Sequence, residues 1–312
     1  MMPTNELGKS GIAVPVLGFG SAPVAGLDPS AGDAPALEVI RAAFDQGIFL
    51  FDTAPVYGAG RAETLVGRAL QGVARSRYLI STKVGRVLDA DQGGAGYDYS
   101  RDGVLRSLEG SLQRLQTDRV DILHIHDPDN HLQEALDHAL PALADLRDQG
   151  VIRAIGAGMN QWQALEQFAR AGGFDCFLLA GRYTLLEQGS LGFLDLCQEK
   201  GIGVLLGGVF NTGILATGAV AGARHNYREP SAEVMARAAA LEAACAAYGV
   251  PLHAAAIHFA QAHPAVASLV LGMARPVEVD QNCAALQTVI PAALWADLRA
   301  RGAIDPAAPL PG

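Results

Sequence analysis

Cysteine is scarce in this sequence. The four present, Cys176, Cys197, Cys245 and Cys283, show neither metal-site spacing nor a CxxC pair, so neither a bound metal nor a dithiol redox centre is expected. They read as buried thiols of a reducing compartment. Positive charge is short as well: 23 Lys and Arg stand against 32 Asp and Glu, for a net charge of -9. No cluster of basic residues occurs, which argues against a nucleic-acid partner. No apolar run approaches the roughly 18 residues of a membrane span. The opening MMPTNELGKSG lacks the charged-then-apolar order of a signal peptide. A cytoplasmic protein with no membrane partner is the expectation. Linkers, low-complexity tracts and sequence repeats are missing too, so residues 1–312 are expected to form one domain.

What is abundant is apolar surface, at 50% of residues, enough for a large core. It falls in short runs: VPVLGFG (14–20), FLFDTA (49–54), YLISTKV (78–84), VDILHIH (120–126), IRAIGAG (152–158), CFLLAGR (176–182), GVLLGG (203–208) and VASLVLG (266–272). Runs so nearly continuous in apolar residues suit strands buried on both faces. Amphipathic helical stretches separate them, several ending at a glycine (Gly47, Gly72, Gly150, Gly201) suited to a left-handed cap. Alternation of this kind predicts a parallel sheet covered by helices. An open doubly wound sheet would carry GxGxxG leading into a helix after an early strand, and GFGSAPVAG does not fit. A closed (β/α)8 TIM barrel is therefore predicted, with an N-terminal β-hairpin at roughly residues 5–15 capping its bottom. Pro141 should kink its helix or mark its true start, and the tail IDPAAPLPG should lie over the surface.

In such a barrel the working residues sit at the C-terminal ends of strands. Asp52 ends the second strand, Tyr57 follows in DTAPVYGAG, Lys83 ends the third in STKVG, and His126 ends the fourth in HIHDP. Taken singly, each has a plain structural explanation: a turn-forming Asp, a packed Tyr, a hydrogen-bonded core His. Together, a carboxylate, a phenol, an ammonium and an imidazole at three successive strand ends point to proton chemistry. A buried ammonium needs a counter-charge, so Lys83 is expected to pair with Asp52. A cation beside a phenol lowers its pKa from about 10; reaching neutrality would take about 4 kcal/mol. Tyr57 would then exchange a proton with a carbonyl–alcohol couple, and His126 would hold the reacting oxygen.

The segments FDTAPVYGAG, AETLVGRAL, STKVG and RVDILHIHDP closely resemble the aldo-keto reductase superfamily, over nearly the whole chain. The resemblance implies a catalytic tetrad of Asp52, Tyr57, Lys83 and His126. His124 shares the parity of His126, but the family's histidine stands immediately before the turn, which selects His126 and leaves His124 a structural role one layer deeper. HDPDNH, IGAGMNQ, LLAGRYTLL and GGVFNTGIL resemble a narrower branch, the aldose 1-dehydrogenases and pyridoxal 4-dehydrogenase. That branch oxidises cyclic hemiacetals of L-fucose-like or D-threo sugars, or of pyridoxal, to lactones.

The nicotinamide groove departs from the superfamily pattern. Gly158 and Met159 replace its Ser-Asn, Ala180 its Gln, and Gly207 its stacking aromatic. Asn160, Arg182 and Phe210 are the nearby candidates to take over. At the adenosine end, Gly272, Met273 and Glu278 replace groups that grip a 2′-phosphate, with Arg275 offset nearby. A carboxylate suits a ribose 2′-hydroxyl, although Glu278 equally suits a solvated first helical turn after Pro276. Asn282, one turn on, could reach adenine.

NAD is accordingly the expected cofactor and NADP the alternative, with a small sugar as substrate. The alternatives are pyridoxal oxidation to its lactone, an NADPH-dependent aldehyde reductase, and, outside catalysis, a nicotinamide-binding accessory subunit of a channel. Barrel-top loops 85–99 and 217–230 are expected to shape the pocket.

Overall fold

The computed structural model describes residues 2–89 and 94–311. Eight parallel strands close into a barrel: β1 (Leu17–Gly20), β2 (Leu50–Asp52), β3 (Leu79–Val84), β4 (Ile122–His126), β5 (Ala154–Met159), β6 (Cys176–Ala180), β7 (Gly203–Gly207) and β8 (Val266–Gly272). Each pairs with the next in sequence, and β8 returns to β1. The predicted (β/α)8 barrel is the observed fold. The four expected glycine caps all take positive φ, from 69° at Gly201 to 87° at Gly47.

The run expected as one strand over 14–20 divides. Ala13–Pro15 pairs antiparallel with Thr4–Glu6, and only Leu17–Gly20 joins the barrel. The resulting hairpin closes the bottom. Leu7, Ile12 and Val14 form one apolar cluster with Leu50, Leu79, Ile122 and Leu205 from the barrel strands. A fully buried leucine contributes about 1.5–3 kcal/mol, so this floor adds stability while blocking the lower end. Gly8 (φ 57) makes the approach possible: a Cβ there would stand 2.4 Å from the Gly203 amide nitrogen.

Pro141 does not mark a helix start, since the helical stretch runs unbroken from Leu132 to Asp148 and is interrupted only by a π-turn before the proline. The stretch Ala135–Ala139 winds as a wider π-turn, with the Leu140 N–H reaching the Ala135 carbonyl, and Leu140–Asp148 continues as α-helix past the proline, so the irregularity that accompanies the missing N–H is a bulge. The C-terminal tail lies over the surface, with Asp305, Pro306 and Ala307 exposed, and is anchored by Ile304 and Ala308, each 1% exposed on the core. The segment 85–99, expected as a loop, carries an antiparallel hairpin, Arg86–Asp89 with Gly94–Tyr97. Residues 90–93 of that expected pocket loop lie outside the described residues.

Candidate active site

Register builds the site. Asp52 pairs with Ser81, Lys83 with His124, and His126 with Gly158, so the charged groups share the upper end of β2–β4. Lys83, 1% exposed, donates to Asp52 Oδ1 at 2.7 Å and to the Thr53 carbonyl at 2.7 Å. Ser81 donates to the other carboxylate oxygen at 2.7 Å. The buried ammonium thus has a counter-charge and fixed acceptors, as its desolvation requires.

Tyr57 enters from the β2 loop. Its N–H donates to the Ala54 carbonyl and its own carbonyl accepts from Ala62. Arg61 anchors the same corner by donating to the carbonyls of Ala25 and Leu27 at 3.1 and 2.6 Å. The Lys83 Nζ lies 4.8 Å from the Tyr57 ring centroid. The His126 ring meets Tyr57 edge-on, centroids 6.0 Å apart and planes at 86°. The four side chains named from the sequence therefore converge on one spot.

The electrostatics correct one expectation. Burial pushes the Tyr57 phenol up, the Lys83 charge pulls it down, and Asp52 pushes it up again, leaving it above its ordinary value of 10.0. Lys83 does not bring the phenol toward neutrality because burial of the ring outweighs its pull, and Asp52 offsets part of that pull. Burial pulls Lys83 itself down, but the Asp52 carboxylate and Tyr57 outweigh it and hold it above its ordinary value. For His126, burial and then the charges of Lys83 and Arg86 drive the imidazole well below its ordinary range. The resting site holds a phenol, an ammonium, a carboxylate and a neutral imidazole. Such a set can donate or accept a proton at Tyr57 and hold an oxygen by hydrogen bond at His126.

His124 lies one layer down with both ring nitrogens lacking a partner among the described residues. Burial and Lys83 lower its pKa to about 3. Gly156 gives it room, since a Cβ there would stand 2.2 Å from its Nδ1. Its role is packing.

The groove candidates on the opposite wall are made largely of backbone. Asn160 donates to the Ala180 carbonyl at 2.7 Å, and Arg182 to its neighbour Gly181 at 3.0 Å. Phe210 is partly buried against the core. A Cβ on Gly207 would meet nothing closer than Ala180 at 3.7 Å, whereas one on Gly208 would crowd the Gly181 nitrogen at 2.9 Å. A flat ring can lie on such a floor, so these residues fit a nicotinamide. Gly272 ends β8 exposed, Met273 is buried, and Asn282 is 7% exposed. Glu278 sits in the first helical turn, as its alternative reading had it, but caps the helix start rather than standing free in solvent. Its carboxylate accepts from the backbone N–H groups of Ala274 (2.7 Å) and Arg275 (3.2 Å) and from the Arg275 guanidinium (2.9 Å). Its charge is thereby partly neutralised.

Sequence reasoning passed over Ser81, Arg86, Asp127 and Tyr99. Arg86 donates to Asp127 at 2.8 Å, and the Tyr99 hydroxyl sits 2.7 Å from the His126 carbonyl and 2.9 Å from that of Asp127. The HDP segment carried the signal for Asp127, but its partners stand some thirty to forty positions earlier and only the fold brings them together.

Known proteins resemble the chain over most of its length. Residues 16–301 match the Aldo/keto reductase family. The chain is 37% identical to a pyridoxal 4-dehydrogenase of Microbacterium luteolum, over 96% of this chain and 98% of that one. It is 37% identical to a D-threo-aldose 1-dehydrogenase of a Pseudomonas species, covering 93% and 94%. An aldo-keto reductase from Bacillus halodurans, solved in its holo form, superposes with a TM-score of 0.83 at 25% identity over 98% of both chains. The chain belongs to the aldo/keto reductase family and is an NAD(P)-dependent oxidoreductase.

Proposed function

We propose that this enzyme oxidises the cyclic hemiacetal of an aldose, of the L-fucose-like or D-threo kind, to its lactone, with NAD preferred over NADP. The observation that carries this reading is the state of the thiols. Oxidising an aldehyde to the acid level first requires an oxygen or sulfur added to the carbonyl carbon, and enzymes that add sulfur use a reactive cysteine. Burial pushes Cys176 well above the ordinary thiol range, Cys197 to about 12 and Cys245 to about 11, and raises Cys283. Each of the four is thereby shifted away from the thiolate form that attacks a carbonyl. A cyclic hemiacetal already carries the needed oxygen.

Bound NAD(P)+ supplies the hydride acceptor. The protein's part is to hold the anomeric hydroxyl at His126 and pass its proton to Tyr57 in its phenolate form, the phenol having first given its own proton to solvent. The C1–H bond breaks as hydride, the C1–O bond becomes a carbonyl, and lactone, NAD(P)H and a proton result. Asp52 and Lys83 keep the phenol oriented and moderate its burial. Asn160, Arg182, Gly207 and Phe210 would lie about the nicotinamide, and Gly272, Arg275, Glu278 and Asn282 about the adenosine. NAD preference is supported by uncharged Gly272 and Met273 and by the engagement of Arg275 with Glu278.

Pyridoxal, also a cyclic hemiacetal, is the second substrate reading, favoured by the equal identity to its dehydrogenase. The raised Tyr57 pKa favours a third, aldehyde reduction with Tyr57 as acid. A panel of aldoses, pyridoxal and simple aldehydes, run with NAD and NADP while following NADH absorbance, separates them. A pyranose-forming aldose should react, its methylated open-chain form should not, and mass spectrometry should find lactone before free acid. Equal oxidation of the open-chain aldehyde, or a thioester on any cysteine, would overturn the proposal.

A further inference from the structure

We propose that Arg86 and Asp127, with the stacked pair Tyr97–His131 beside them, form a recognition site for the vicinal hydroxyls of a neutral pyranose next to the reacting carbon. The inference rests on the hemiacetal reading above and names what selects the substrate there.

Asp127 follows His126 directly and holds φ at 49°, a left-handed conformation that costs a non-glycine residue about 1–3 kcal/mol. Its backbone is tied on both sides. Its N–H donates to the Gly158 carbonyl at 3.0 Å, and the buried Tyr99 hydroxyl engages the carbonyls of His126 and Asp127. This turn brings Asp127 Oδ2 to 3.8 Å from His126 Nε2. That is too long for a hydrogen bond and leaves Oδ2 open to a substrate oxygen at about 2.8 Å. A substrate hydroxyl there would donate to the carboxylate, beside the reacting oxygen that takes the single N–H of the neutral imidazole.

Arg86 extends the site outward. Its NH1 donates to the same Oδ2 at 2.8 Å, and the two side chains remain 29% and 26% exposed at the mouth. An ion pair so exposed contributes little to stability, and its groups stay within reach of a ligand. The guanidinium lies 5.8 Å from the Tyr97 ring centroid. Tyr97, half exposed, stacks on His131 at 5.1 Å and 29°.

The combination has a defined complement. A carboxylate accepts, a guanidinium donates in a fixed plane, and an exposed aromatic face takes an apolar C–H surface. Adjacent hydroxyls on a sugar ring both give and take hydrogen bonds and sit above such a surface. An aldehyde lacking hydroxyls leaves the pair unmatched, and an anionic phenolate is repelled by Asp127. Sites built around a substrate hydroxyl reject the analogue lacking it strongly.

The test compares an aldose with its 2-deoxy counterpart in the intact enzyme and in Asp127→Asn and Arg86→Met, with NADH affinity followed by fluorescence. The parent-to-deoxy ratio of kcat/KM should fall at least tenfold in each variant, mainly through KM of the parent. Should Asp127→Asn slow parent and deoxy sugar by the same factor, Asp127 acts only through His126 and the inference is wrong. An Arg86→Met enzyme that binds the parent as the unmutated enzyme does would remove Arg86 from it. Inactivity of the unmutated enzyme on every aldose would overturn the hemiacetal reading along with this one. An active enzyme whose ratio stays fixed overturns this inference alone.

Discussion

The two halves of the barrel mouth are built from opposite materials. Over β2–β4 the strand ends carry Asp52, Lys83 and His126, charged or polar side chains almost wholly buried and tied to one another. Over β5–β8 the strand ends are Met159, Ala180, Gly207 and Gly272, and the groove is shaped by backbone. In the proposed function the first half does chemistry, which needs few groups in fixed protonation states. The second half offers a surface, where absence of side chains is itself the feature. Substitutions should therefore act on turnover and stability in the first half and on affinity and cofactor choice in the second.

The largest effect should come from Tyr57→Phe, which removes the only group in the site able to exchange a proton with the substrate. Turnover should fall by about 10²–10⁴-fold, with NADH affinity by fluorescence titration nearly unchanged. Near-normal rates would break the division at its centre. Asp52→Asn comes next, because it leaves the Lys83 ammonium buried without its counter-charge. Denaturant unfolding should show a loss of about 3–5 kcal/mol, and an unaltered midpoint would mean that the pair is not structural.

A pH profile sharpens the same half. Oxidation needs the Tyr57 phenolate, and burial holds that phenol above 10.0. Below its pKa the base form grows about tenfold per pH unit, so kcat/KM for oxidation should climb between pH 7 and 9. His126, driven well below its ordinary range, is already neutral there and adds no step. A plateau beginning near pH 7 would show that the complex retunes Tyr57 after all. The smallest effect belongs to the second half: Glu278→Arg should narrow the preference for NAD over NADP by about 1–3 kcal/mol, read as the ratio of kcat/KM values. It also releases Arg275, so a ratio that does not move would take the adenosine end out of the argument.

The same contrast decides what could be read from sequence. Lys83 and His126 stand out as polar residues in apolar runs, and their spacing places them at strand ends before any coordinates exist. The barrel followed from strand-helix alternation in the same way. The direction of the Tyr57 shift was not legible, because it depends on how completely the loop buries the ring and on Asp52 offsetting part of the pull of Lys83. Glu278 was ambiguous for a related reason: a carboxylate three residues past Arg275 serves the helix start or a ligand equally well on paper. Arg86 and Asp127 were invisible as a pair because their adjacency belongs to the fold alone.

The hairpin that plugs the lower end of the barrel has a consequence for traffic. With Leu7, Ile12 and Val14 packed into the floor, the lower end is closed, and in the proposed reaction cofactor and substrate would share the upper one. Whichever partner lies deeper would then arrive first and depart last. The order of binding would thus be written into the end of the molecule that performs no chemistry.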